Sequence, residues 1–221
     1  MCTVSYIPAE NGFYLTSNRD ESPKRKTLPP QTVNLNNGKK LIAPIDEEKG
    51  GSWIATDGKN KVACILNGGF EKHTRILPYR KSRGHFVFEA FQYPDFTTFS
   101  EEINLENIEP FTLILIDDFL QVLVWDGTKK HLQFLSKSIP QLWSSSTLYS
   151  REIQQSKKEF FQEFLAEGNT ESNDILKLHQ EASFVLKHPE VQTVSTTQII
   201  VENSLATLQY FPKEIHQKEF I

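Results

Sequence analysis

The sequence predicts an α+β layered domain. Three observations carry this reading. Short β-rich segments with turn signals fill the first third. Two segments with apolar residues at helical spacing follow in the middle, and two further strands close the chain. Strands first, helices in the middle and strands last imply sheets and helices in separate layers.

The elements follow in order. Cys2 to Ile7 is rich in β-formers, and Asn11-Gly12 is a strong two-residue hairpin signal. Phe13 to Asn18 is the return strand. Glu21 to Pro30 is polar, basic and proline-containing, so it reads as a loop. Ser52 to Thr56 and Lys61 to Asn67 form a second hairpin around Asp57-Gly58-Lys59-Asn60. Arg83 to Tyr93 reads as a short helix. Phe111 to Ile116 is a near-continuous apolar run, as expected of a strand covered on both faces. Phe119 to Trp125 and His131 to Leu135 extend it as a meander, with a turn at Asp126-Gly127. Ser150 to Ala166 places Ile153, Phe160, Phe161, Phe164 and Leu165 at helical spacing. Ser172 is expected to cap a second helix running to about Lys187, with Ile175, Leu178, Ala182, Val185 and Leu186 inward. Thr193 to Val201 and Leu205 to Phe211 are the last strands, joined at Glu202-Asn203-Ser204.

The bulk properties set limits. The 221 residues suffice for a sizeable core without staples. The chain shows no repeats, low-complexity tract or long linker, so residues 1–221 are expected to form a single domain. A net charge of -4 argues against non-specific nucleic-acid binding, which runs on basic patches. The two cysteines, Cys2 and Cys64, make no disulfide scaffold and fit a reducing compartment, although a bridge between them stays open. No apolar run approaches bilayer-crossing length, and the start does not read as a signal peptide. The expected location is cytoplasmic.

The first hairpin has chemical consequences. A turn at Asn11-Gly12 pairs Glu10 with Phe13, Val4 with Arg19, Thr3 with Asp20 and Cys2 with Glu21. Arg19 is then a same-face diagonal neighbour of Cys2, and Asp20 lies beside the chain start on the other face. A guanidinium lowers the pKa of a nearby thiol. With Met1 removed, Cys2 also carries an α-amine of reference pKa about 7.7–8.0, which can act as a base near neutrality. Asp20 could orient it. Geometry alone favours a plainer reading, a small strand cysteine beside a surface ion pair.

The motifs add a resemblance. Met1-Cys2, Ser17-Asn18-Arg19-Asp20-Glu21, Gly50-Gly51-Ser52-Trp53-Ile54-Ala55, Leu66-Asn67 and Ser82-Arg83-Gly84 occur in the order seen in the NRDE family, also known as the transport-and-Golgi-organisation protein 2 family. Phe111 to Asp117 and Trp125-Asp126-Gly127 resemble two later landmarks. The resemblance implies an N-terminal nucleophile hydrolase, similar to the choloylglycine hydrolase and penicillin V acylase branch, with a four-layer αββα sandwich. It implies hydrolysis of a small non-peptide acyl amide through a thioester on Cys2. Arg19 and Asp20 would flank the nucleophile, and Asn67 would donate to the oxyanion. Asn18, Trp53 and Arg83 sit in the matching motifs beside the site. The sequence departs from the branch at two places. A further site Asn falls near Ser144-Ser145-Ser146, with Ser145 at its centre, and a late Arg falls at Ser195. Serine can donate a hydrogen bond but supplies no charge.

Other features have structural readings. Cys64 alternates with Val62 and Leu66 and reads as a core residue. The six histidines lack metal-ligand spacing, and no metal or cofactor is expected. Gly50-Gly51 and Gly68-Gly69 read as turns rather than phosphate loops, because no Lys-Ser/Thr follows. Arg83 at a helix start is electrostatically misplaced, so it needs a partner, either the Asp46-Glu47-Glu48 stretch or the site. Lys24-Arg25-Lys26 reads as a solvated loop. Two functions follow from the resemblance: an amidohydrolase, or a non-catalytic carrier of haem or lipid. A pure scaffold is a third, without a supporting motif.

Overall fold

A computed structural model describes residues 3–213. Among these residues the chain forms twelve strands and four α-helices. The first six strands are β1 (Thr3–Ala9), β2 (Gly12–Glu21), β3 (Thr27–Asn34), β4 (Lys40–Asp46), β5 (Ile54–Thr56) and β6 (Val62–Asn67). Two short helices follow, α1 (His85–Glu89) and α2 (Phe96–Glu102), separated by a 3-10 turn at Ala90–Gln92. Then come β7 (Phe111–Ile116), β8 (Leu120–Trp125), β9 (Lys130–Leu135) and β10 (Gln141–Ser144). The longer helices α3 (Arg151–Ala166) and α4 (Ser172–Gln180) precede β11 (Gln192–Glu202) and β12 (Leu205–Pro212).

The strands make two antiparallel sheets. One has the order β10-β1-β2-β11-β12, the other β3-β4-β5-β6-β7-β8-β9. Alternation along the first sheet creates two cores. Val4, Tyr6, Phe13 and Leu15 join the large core shared with the second sheet. Ile7 and Tyr14, on the opposite face, join Phe161 of α3 and Ile175 and Leu178 of α4. Helices α1 and α2 pack on the second sheet, with Phe86 stacked on Phe111 of β7. The result is the expected αββα order. No helix among the described residues is long and apolar enough to cross a membrane.

Several expectations change. The first turn is Glu10-Asn11, not Asn11-Gly12, and Ala9 pairs with Gly12. Each pairing along the hairpin therefore moves, so that Thr3 faces Asn18 and Val4 faces Ser17. The reason lies at Gly12. A Cβ there would sit 1.8 Å from the Val201 carbonyl oxygen of β11, so this glycine serves close approach of a neighbouring strand rather than a turn. Cys2, expected to pair with Glu21, lies itself outside the described residues.

Part of the basic loop is strand. β3 begins at Thr27 and contains Pro29 and Pro30. It is an edge strand, and its register shifts between Leu28 and Gln31, where the prolines make no ladder bonds. β4, β10 and α2 also escaped the sequence reading. In α3, Phe161 is buried while Phe160 and Ile153 are largely exposed. Helix α4 stops at Gln180, short of Lys187. Ser172 is its first residue rather than its cap, and its carbonyl accepts from Gln198 Nε2 at 2.9 Å. The early stop has a cause: the His179 and Phe184 carbonyls both turn to the Asn18 amide, at 2.9 and 3.2 Å.

Candidate active site

Arg19 and Asp20 end β2 on opposite faces, and each is 2% exposed. Arg19 points toward the second sheet. Its Nη2 lies 2.6 Å from Asp46 Oδ2 of β4. Its Nη1 donates to Thr27 Oγ1 at 2.9 Å and to the Arg25 carbonyl at 3.3 Å. The guanidinium carbon sits 4.8 Å above the Trp53 ring, a cation–π contact. Burial pulls the Arg19 pKa down, and Asp46 and Glu21 oppose this. Asp46 also forms an ion pair with Arg25, Nε to Oδ2 2.7 Å, and accepts a hydrogen bond from the Lys49 amide at 2.9 Å. One carboxylate thus compensates two guanidiniums. Arg25 is consequently not solvated as read from the sequence: it is half-buried and pairs with Glu21 at 3.1 Å.

These groups line a small cleft of about 80 Å³, together with Trp53, Asn67, Arg83 and the Gly51-Ser52 backbone. Two glycine-bearing motifs close one wall. Ser52 N donates to the Gly84 carbonyl at 3.1 Å. A Cβ on Gly51 would lie 2.7 Å from Gly84 C, and one on Gly84 2.9 Å from Ser52 O. The two segments meet because neither carries a side chain there. Trp53 is 3% exposed, and its Nε1–H finds no acceptor among the described residues.

Asn67 ends β6 at the cleft. The Ser145 hydroxyl donates to its carbonyl at 2.7 Å, so Ser145 braces the strand end that carries Asn67. Ser195 is the cross-strand partner of Arg19, placed by the β-bulge after Thr193. It is fully buried, and its hydroxyl has no partner among the described residues. Arg83 lines the cleft but pairs with Glu109 at 3.4 Å and the Pro110 carbonyl at 3.0 Å, not with the Asp46-Glu47-Glu48 stretch. Burial lowers its pKa, and Glu109 works against that.

The other face of β2 is a second polar cluster beneath α3 and α4. Asp20 accepts from Tyr149 Oη at 2.8 Å and from Thr193 Oγ1. Asn18 faces this side, away from the cleft. Its Nδ2 serves the two carbonyls already described, so Oδ1 is left to accept from Thr196 Oγ1 at 3.0 Å and to face His179 Nδ1 at 3.3 Å. Nδ1 must then carry the proton, and Nε2 accepts from Ser5 Oγ at 2.7 Å. The ring is neutral, because burial, reinforced by Lys157 and Lys213, pushes its pKa to about 3.

Of the sequence-predicted residues, Arg19, Trp53, Asn67 and Arg83 gather at the cleft, and Ser195 pairs with Arg19. Ser145 braces from behind, while Asn18 and Asp20 face the helices. Cys2 lies outside the described residues. Cys64 is fully buried, and burial pushes its thiol up to about 12. Asp46, Tyr149, Lys157 and His179 were missed. Lys157 had a signal: it lies four residues after Ile153 and four before Phe161, a cation inside an apolar stripe.

This layer order matches a known class of fold. The chain superposes on a Caenorhabditis elegans N-acylethanolamine-hydrolyzing acid amidase ortholog with a TM-score of 0.64 and 10% identity, covering 94% of this chain and 100% of that one. Penicillin V acylase from Agrobacterium tumefaciens gives 0.57 and 11%, with 95% and 82% covered. A conjugated bile acid hydrolase mutant from Clostridium perfringens gives 0.57 and 9%, with 96% and 92% covered. The fold is that of the N-terminal nucleophile hydrolases. No curated protein sequence matches the chain. The family profile described as Transport and Golgi organisation 2 matches residues 1–217, and the chain belongs to that family.

Proposed function

We propose that the protein is a cysteine N-terminal nucleophile amidohydrolase acting on a small acyl amide. The observation that carries this reading is the gathering of Arg19 and Asn67 in one cleft, with Asp20 fixed at the same strand end. After removal of Met1, the Cys2 α-amine takes the thiol proton and the sulfur attacks the amide carbon. The Asn67 side-chain amide donates to the resulting oxyanion, and Arg19, locked by Asp46 and Trp53, supplies fixed positive charge. Collapse expels the amine, which takes the proton from the α-amine. Water then attacks the thioester, giving the acid and the free thiol.

The cleft's charge supports a substrate class. Among its described lining residues Arg19, Arg25, Lys49 and Arg83 stand against Glu21 and Asp46. Glu109 and Glu48 pair Arg83 and Lys49 from outside the lining, but the clustered guanidinium and ammonium N–H groups still favour an amide that also carries an anionic, hydrogen-bond-accepting group. The test is a panel of chromogenic acyl anilides with and without a carboxylate. Turnover of the carboxylated members, lost in Cys2→Ala, supports the reading; no turnover of any member counts against it.

The carrier reading draws on Ser145 and Ser195, which replace the branch's Asn and Arg. A charged cleft of about 80 Å³ offers poor lodging for a porphyrin. Haem titration followed by absorbance separates the two: a saturable Soret shift at micromolar haem supports the carrier.

A further inference from the structure

Helix α3 turns Lys157 inward beside Phe161, and the residue is only 6% exposed. Its ammonium Nζ donates to Thr3 Oγ1 at 3.0 Å and to the Phe184 carbonyl at 3.3 Å. It lies 4.1 Å from the Tyr149 ring centroid and 5.2 Å from that of Phe184. Tyr149 in turn donates to Asp20. Burying an ammonium costs several kcal/mol, and an apolar residue of similar length would fill this stripe at no such cost. Covalent geometry keeps the Cα of residue 2 about 3.8 Å from that of Thr3, the residue Lys157 grips.

We propose that Lys157 is a positioning residue for the reaction above: through Thr3, and through Tyr149 and Asp20, it fixes the Thr3 end of β1, to which residue 2 is covalently joined, and sets a positive charge at that end. This rests on the amidohydrolase reading. A cation at that place disfavours a second one, so the α-amine stays a free base, and it favours the thiolate of Cys2. Among the described residues, the groups facing the region are Asp20 from β2, Tyr149 from the segment before α3, neutral His179 from α4 and Lys213 after β12, with Arg19 on the other face. Asp20 alone among them is anionic, and Lys157 offsets it.

The experiment compares the wild type, Lys157→Met and Lys157→Arg as full-length proteins. Alkylation of Cys2 by iodoacetamide is followed against pH by peptide mass spectrometry, with Met1 status read from intact mass. Lys157→Met should move the labelling midpoint up by about one pH unit, slowing alkylation about tenfold below it, and Lys157→Arg should restore it. If Lys157→Met does not fold by circular dichroism, Thr3→Val replaces it, with a smaller upward shift expected. An unchanged midpoint in a folded variant, with Met1 removed and amidase activity present in the wild type, overturns the role of Lys157 alone. Retained Met1 overturns the hydrolase reading and this role with it.

Discussion

Arg19 of β2 and Asp46 of β4 meet at 2.6 Å across the gap between the two sheets. Both side chains are nearly buried, and the same carboxylate holds Arg25. Removing the carboxylate leaves a buried guanidinium without its counter-charge, which costs about 3–5 kcal/mol. Asp46→Asn should lower unfolding free energy by that amount in urea titrations. A loss under about 1 kcal/mol would mean that the pair is dispensable.

Gly51 and Gly84 form the wall of the cleft by backbone contact alone. In Gly84→Ala the new methyl meets the Ser52 carbonyl oxygen at 2.9 Å. Overpacking of this kind costs about 1–3 kcal/mol. Thermal melting should show the drop, and an unchanged melting temperature in Gly84→Ala would contradict the contact.

His179 makes stability depend on pH. Its folded pKa of about 3 lies below the ordinary value of 6.5, because burial, then Lys157 and Lys213, disfavour its charged form. Between these values the unfolded chain binds a proton that the folded one does not. Stability contributed by the neutral ring is therefore present above about pH 6.5 and falls with pH, by about 1.4 kcal/mol per unit, toward pH 3. His179→Gln should flatten this acid limb in urea midpoints measured at pH 7 and pH 4.5. A variant that loses as much as the wild type between those pH values would remove His179 from the account.

Asn67→Ala should cut amide hydrolysis about 10²–10³-fold with little change in KM, the pattern of a lost oxyanion donor. Ser145→Ala, which unties the Asn67 carbonyl, should cost less activity and about 1 kcal/mol of stability. Equal kinetic losses in the two would argue that strand placement, and not the Asn67 amide, governs the rate.

The sequence made the hairpins, α3 and the closing strands legible because their signals are local. Asn203 and Ser204, at φ 49 and 64, form the two-residue turn read there, and Gly58 and Gly127 take the positive φ that their turns need. Gly12 misled because its reason is a neighbouring strand that only the assembled sheet brings close. β3 was hidden by prolines that an edge position tolerates. The motif residues at the cleft were visible as motifs, yet their partners were not. Asp46 reaches Arg19 from 27 positions away, and Tyr149 reaches Asp20 from 129. Ionic and hydrogen-bonded partners at such separations leave no periodic trace in a single chain.

The central claim is that Cys2 is the exposed nucleophile, and intact-mass spectrometry with a thiol-directed probe tests it most directly. Cys64, fully buried with its thiol pushed up to about 12, provides an internal reference that should resist labelling in the folded protein. The account predicts a mass lacking Met1 and a single rapid adduct on Cys2. Quantitative retention of Met1, or labelling of Cys64 as fast as Cys2, would contradict it.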